Sequence, residues 1–345
     1  MRIALDTMGG DKGPEEVCRG AVDFVSDAKS VTVTLWGPRP RLQDLLDDIL
    51  SEAEHGARLR GRLEVEHAPD VITQKDEPVA AVREKKNSSM IGCFKQARDG
   101  KADALVTVGN TGAALAAGVL ITGRIADVER PALASEMPIM GGGRFLLLDL
   151  GANADARPQH LSDYAQMGLI YASEVMEVAE PTVGLLNIGT EKKKGDKLRR
   201  EAYPLLEQVC SDFPQSTFLG NIESRRLLEG SADVVVTDGF VGNILLKTFE
   251  GVGQALSDAV SREMKNSLLS MLGGLLVKPG VERVFGRHDY RNYGGAVLLG
   301  LRSLVVKCHG VSQAKAISSA LQTAYRSVEA EIPAVIDASM KRRNQ

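Results

Sequence analysis

Asparagine, lysine and aspartate recur in this chain beside glycine, at the ends of short apolar runs. LVTVGNTGAALAAG occupies 105–118 and FLLLDLGAN 145–153. VGLLNIGTEKKKGD follows at 183–196, FLGNIES at 218–224 and ADVVVTDGFVGNILLK at 232–247. Glycine lets a turn close tightly and lets a ligand approach the backbone. The amides that open a helix attract anions, asparagine adds a neutral donor and acceptor, and lysine adds positive charge. Residues of these types at strand ends suit a phosphate-bearing or otherwise anionic substrate, which open α/β sheets bind at the carboxyl ends of their strands.

The better-known alternatives are missing. There is no GxxxxGK[ST] box, and the turn after the first strand reads GGDKGP at 9–14 rather than GxGxxG. GxSxG and HExxH are also absent. His55, His67, His160, His288 and His309 lack metal-ligand spacing and read as separate core or surface side chains. With no evident covalent nucleophile, such a site suits a substrate that brings its own. Inorganic phosphate attacking a thioester is one, since a thiol with pKa near 8.5 leaves with little acid assistance. Positioning can supply roughly 7–11 kcal/mol and one oxyanion donor roughly 3–4 kcal/mol.

The elements that would hold such turns alternate along all 345 residues. Apolar runs predict strands at 2–6, 31–36, 63–67, 103–108, 145–150, 182–188, 216–220, 232–237 and 303–307. Helical patterns fill 14–28, 40–54, 78–99, 111–122, 160–178, 197–211, 241–272 and 312–330. This predicts an α/β fold with a mostly parallel, doubly wound sheet, in one catalytic unit over 1–345 with two lobes and a cleft. A long helix and an apolar protruding segment are expected over 241–290. Within it, Leu268, Leu269, Leu272, Leu275 and Leu276 share one helical face with Met271. That face suits core or dimer packing, or contact with an anionic membrane surface, since Lys265, Lys278, Arg283 and Arg287 flank it.

Bulk composition narrows the class. The chain is 43% hydrophobic, so it is globular, and only 4% aromatic, which argues against base-stacking surfaces. A net charge of -3 with no basic arm speaks against nucleic acid. Cys18, Cys93, Cys210 and Cys308 are scattered and read as buried thiols in a reducing compartment. The opening MRIALDTMGG reads as a strand and turn, and no apolar run approaches the roughly 20 residues of a membrane span. The expectation is a cytoplasmic protein, with peripheral contact at the inner face of the membrane through the apolar segment.

Eight ordered boxes carry a family resemblance. They are ALDTMGGDKGP (4–14), KDEPVAAVREKKNSSM (75–90), VGNTGAALAAG (108–118), LLDLGANAD (147–155), GLLNIGTEKKKG (184–195), FLGNIE (218–223), VVVTDGFVGNILLK (234–247) and YGGAVLLG (293–300). Together they resemble phosphate acyltransferases of the PlsX type, from residue 1 to about 330. The resemblance implies conversion of acyl-[acyl carrier protein] and inorganic phosphate to acyl phosphate and free carrier protein, an early step of phospholipid biosynthesis. It further implies hand-over to a membrane glycerol-3-phosphate acyltransferase, a homodimer, and no metal or organic cofactor. The implied fold is the three-layer α/β/α sandwich shared with phosphotransacetylases and isocitrate-type dehydrogenases.

Carried over residue by residue, the resemblance makes Lys194 and Asn243 catalytic. Lys194 would face phosphate or the oxyanion, and Asn243 would hold the carbonyl or phosphate. Read without the family, Lys194 is a surface charge and Asn243 a helix cap. Substrate and phosphate contacts are expected from Asp6, Gly9, Gly10 and Asp11 in the first turn, and from Asn110, Thr111 and Gly112 at a helix start. Asn153, Asp155, Gly189, Thr190, Asp238 and Gly242 complete that set. Lys192, Lys193, Lys197, Arg199 and Arg200 form a basic run beside Lys194, suited to docking the acidic carrier protein. Competing readings are a phosphate acetyl- or butyryltransferase using acyl-CoA, an isocitrate-type dehydrogenase, and a non-catalytic scaffold for lipid enzymes.

Overall fold

Side chains alternate between the two faces of a strand, and here both faces are apolar. In the first strand Ile3 and Leu5 enter one core while Ala4 enters another. Both sides of the sheet must therefore be covered by helices. A computed structural model describes residues 1–266, 271, 273–274, 277, 280, 294–310 and 312–343. The apolar segment expected to meet a membrane or a second subunit, with Leu268, Leu269, Leu272, Leu275 and Leu276, lies outside the described residues.

Eleven strands among the described residues form one sheet. They are β1 (Arg2–Asp6), β2 (Thr32–Gly37), β3 (Leu63–His67), β4 (Ala104–Thr107), β5 (Ala132–Pro138), β6 (Arg144–Leu148), β7 (Thr182–Asn187), β8 (Thr217–Glu223), β9 (Val234–Val236), β10 (Ala296–Leu299) and β11 (Leu304–Lys307). Their order is β3-β2-β1-β4-β11-β10-β5-β6-β9-β7-β8. Strands β3, β2, β1, β4 and β11 run parallel to one another, as do β6, β9, β7 and β8. Between the two sets, β10 is antiparallel to both β11 and β5, and β5 is antiparallel to β6. The two parallel sets therefore point in opposite directions and meet at β10 and β5.

One core layer packs α1 (Pro14–Asp27), α2 (Arg39–Glu52), α3 (Gly56–Arg60), α7 (Pro158–Glu174), α8 (Lys197–Asp212), α10 (Ala314–Glu329) and α11 (Ile332–Arg343) against the sheet. The other holds α4 (Pro78–Glu84), α5 (Ser89–Arg98), α6 (Thr111–Ala117) and the base of α9 (Gly239–Met264). This is a three-layer α/β/α arrangement with a mostly parallel sheet, as the alternating pattern implies.

Helix starts follow local chemistry. The carboxylate of Glu77 accepts from Val79 N and Ala80 N, Asn110 from Ala113 N, Asp196 from Arg199 N and Asp238 from Val241 N. Several boundaries differ from the sequence expectation. The helix expected over 78–99 is two, because Lys85 turns inward to Val71 O (2.9 Å) and Asp76 (2.7 Å) and ends the first. The one expected over 111–122 is α6 followed by a wider π turn at Gly118–Thr122. The helices α3 and α11 and the strands β5 and β10 were not anticipated. In β5 the reason is Glu136, a charged residue only 3% exposed in the middle of the strand. Arg144, Arg326 and the Tyr171 hydroxyl surround its carboxylate, so a polar residue stands where the pattern calls for an apolar one.

Candidate functional site

The two opposed strand sets meet under a cavity of about 260 Å³. Its floor is β5, β10 and β11, and it opens between the start of α6 and the first turns of α9. Thr111, Ser135, Gly151, Asn243, Lys247, Lys307, His309 and Ser312 supply its polar lining, and Leu133, Leu150 and Leu246 part of the apolar remainder.

On the first side, the Thr107 hydroxyl donates to the Asp6 carboxylate (2.7 Å) and accepts from Gly109 N (3.1 Å). Ser89 donates to the same carboxylate at 2.6 Å. Burial raises the Asp6 pKa to about 6, against these bonds, which lower it. Gly9, with φ +82°, lies so close to the next loop that a Cβ there would sit 2.8 Å from Ile72 O. Asp11 N donates to Gly310 O at 2.7 Å, which ties the first turn to the loop after β11. The Asn110 amide caps α6 and also donates to Gln74 O and Asp76 O, both at 3.4 Å. These bonds present Thr111 to the cavity.

On the second side, Asp149 organises the turn after β6. Its carboxylate accepts from Leu133 N (3.0 Å), Gly151 N (3.1 Å), Ala152 N (2.9 Å) and Asn153 N (2.7 Å). Desolvation raises its pKa despite these bonds. The helix α9 presses onto this turn, and a Cβ on Gly242 would lie 1.9 Å from Asp149 O, which requires glycine. The next residue, Asn243, is thereby set against Gly151. Its amide makes no hydrogen bond among the described residues.

Cations collect at the third wall. Lys247 Nζ lies 2.9 Å from Glu250 and 3.3 Å from His309 Nε2. Lys307, at the end of β11, has no hydrogen bond or ion pair to its ammonium among the described residues. Burial pushes its pKa down to about 8. Cys308 also lines the cavity, but burial holds its thiol up at about 12, so it is not a thiolate at neutral pH. No group of three potential metal ligands occurs among the described residues. The assembled chemistry is amide and ammonium donors around a small, partly open volume, suited to an anion and to a developing oxyanion.

A family model described as fatty acid synthesis protein matches residues 1–335. The phosphate acyltransferase of Geobacillus thermodenitrificans is 42% identical over 342 residues, 99% of each chain. The chain belongs to the phosphate acyltransferase family. The Bacillus subtilis phosphate acyltransferase is 41% identical over 99% of this chain and 98% of its own. It is thus an enzyme, an acyltransferase. Among solved structures, the EutD phosphotransacetylase of Staphylococcus aureus superposes with a TM-score of 0.58 at 17% identity, covering 96% of this chain and 94% of that one. A phosphotransacetylase of Streptococcus pyogenes gives 0.57 at 16%, covering 95% and 94%. At those identities the likeness is one of fold.

Of the residues singled out in the sequence of this acyltransferase, Thr111 and Asn243 line the cavity. Gly9, Gly10, Asp11, Asn110 and Gly112 shape the loops around it, and Gly242 seats α9. Asp6, Asn153 and Asp238 are buried and satisfied by protein partners. Asp155, Gly189 and Thr190 are not among the lining residues. Nor is Lys194, which is 52% exposed in the loop between β7 and α8, with Nζ 3.8 Å from Glu191. Arg199 corrects the expected docking run. It is 7% exposed, and its guanidinium reaches Asp238 (2.5 Å), Asp196 (2.7 Å) and Leu186 O (3.1 Å), so it cannot meet a partner protein. Lys192, Lys193, Lys197 and Arg200 remain exposed.

Sequence reasoning missed Ser135, Lys247, Lys307, His309 and Ser312. Lys247 closes the quoted VVVTDGFVGNILLK box, the one signal that pointed toward it. Ser135 sits in an unanticipated strand, and nothing in VVKCHG marks its lysine as enclosed.

Proposed function

We propose that this acyltransferase moves a long acyl chain from the thiol of an acyl carrier protein to inorganic phosphate, as an early step of phospholipid biosynthesis. A phosphate oxygen attacks the thioester carbonyl, and the tetrahedral oxyanion expels the thiolate. The proton lost by hydrogen phosphate goes to that thiolate, leaving acyl phosphate and free carrier thiol. The reading rests on one observation above others: the cavity gathers the Asn243 amide and the Lys307 ammonium, neither with a hydrogen-bond partner among the described residues, and the Cys308 thiol beside them is held protonated. That suits direct attack by phosphate without an acyl-enzyme.

In this reading Asn243 holds the carbonyl oxygen or the phosphate, and Lys194 faces the same charge from the neighbouring loop. The exposed Lys192, Lys193, Lys197 and Arg200 dock the acidic carrier protein. Exposed Phe240, Ile244, Val252 and Leu256 on α9 support a homodimer. The acyl phosphate would pass to a membrane glycerol-3-phosphate acyltransferase. No helix among the described residues is long and apolar enough to cross a membrane, and contact with anionic lipid would come from the apolar segment after α9.

The test incubates purified protein with palmitoyl carrier protein, with and without phosphate, and follows free thiol while hydroxylamine traps acyl phosphate as hydroxamate. Phosphate-dependent thiol release with hydroxamate is expected. Turnover of a short acyl-CoA alone would move the substrate class to that of a phosphotransacetylase, and no turnover of either donor would leave the scaffold reading.

A further inference from the structure

We propose that Lys307 is the residue that binds the attacking phosphate. The inference rests on the proposed reaction and names the phosphate subsite within it. Lys307 lies at the carboxyl end of β11, in register with Thr107 of β4 and Ala296 of β10. Alternation puts its side chain on the same face as Val305, which packs in the core layer beneath α6 and α9. The side chain therefore reaches the cavity floor, in the cavity that Thr111 and Asn243 also line.

Among the described residues no carboxylate pairs with its ammonium. Lys247 is committed to Glu250 and lies beside His309. Burial dominates the lowering of the Lys307 pKa; Cys308, Asp11 and Glu250 favour the charged form and Lys247 disfavours it. A half-buried ammonium with no counter-ion among the described residues is costly to charge unless an anion supplies one. A compact point charge with three donors suits a phosphate dianion. Phosphate seated there would lie between that ammonium and Asn243, with its free oxygen toward the carbonyl.

The consequence is a pH dependence with a definite sign. Below pH about 8 the side chain is charged and holds phosphate. As pH rises through that value the charge is lost and the phosphate KM climbs.

Steady-state kinetics with phosphate and acyl carrier protein varied separately test the assignment. Lys307→Gln is expected to raise the phosphate KM about 10- to 100-fold, the range for one hydrogen bond to a charged group. The carrier-protein KM should stay within about twofold, and the alkaline rise in phosphate KM should vanish. An unchanged phosphate KM, or a rise still present in the variant, overturns the proposal while leaving the reaction intact. A second measurement needs neither turnover nor the variant. In the wild-type protein, inorganic phosphate should slow trinitrobenzenesulfonate labelling of Lys307, mapped by mass spectrometry, more than labelling of Lys192. Labelling of Lys307 indifferent to saturating phosphate overturns the assignment even if the wild type shows no acyl transfer.

Discussion

Two lysines stand at or just beyond strand ends in this chain, and their surroundings differ. Lys194 stands in the loop after β7, half exposed, with Glu191 at 3.8 Å. Lys307 ends β11 on the floor of the cavity without a partner among the described residues. The first sits in a recognisable family box, and the second in a stretch the family reading passed over. Residue type and local context mark a lysine as a candidate, but enclosure decides how strongly its charge acts. In water a charge at 4 Å is worth about 1 kcal/mol, and near a protein surface about 4 kcal/mol.

The regions are linked by Arg199, which joins Asp196, the cap of α8, to Asp238, the cap of α9. Arg199→Met should break that link and leave Asp238 as an uncompensated buried charge. We expect a loss of about 3–5 kcal/mol in urea unfolding, the scale for removing one partner of a buried pair. A stability change below about 1 kcal/mol would place the pair among weak surface bridges. Asn243→Ala tests the cavity wall. Turnover should fall about 10²–10³-fold, as for an oxyanion donor, with an unchanged melting temperature because its amide has no hydrogen-bond partner among the described residues. Retained activity would take Asn243 out of the chemistry.

Lys194→Ala puts the loop against the cavity. A fall of about 10²-fold or more is expected if the loop lysine reaches the reacting charge. Full activity would assign the charge to the cavity alone and leave Lys194 as a solvated cation. The smallest effect concerns docking. Lys193→Glu should lower kcat/KM for acyl carrier protein several-fold at low salt, about as one rim charge affects association, and the deficit should close near 0.5 M salt. A deficit that persists at high salt would mean that Lys193 does more than steer.

Much of the fold was readable because its signals are local. The turns at Asn110 and Asp238 announce helix starts, and in both the expected side chain caps the helix. The strand β5 was not readable, since Glu136 breaks its apolar pattern and is tolerated only because Arg144 and Arg326, from β6 and α10, come to it. At the site, Thr111 and Asn243 were legible from their turns. Arg199 was misjudged for the converse reason: the basic residues between Lys192 and Arg200 look alike until one of them folds inward onto Asp238.

From sequence alone come the α/β alternation, the caps, the glycine turns and the family, because each depends on residues near one another along the chain. Only the tertiary structure decided that the two parallel strand sets oppose each other across β10 and β5, and that Asn243 and Lys307, from α9 and β11, share one cavity. Burial and pairing set the worth of a charge, and both are made by segments far apart in the chain.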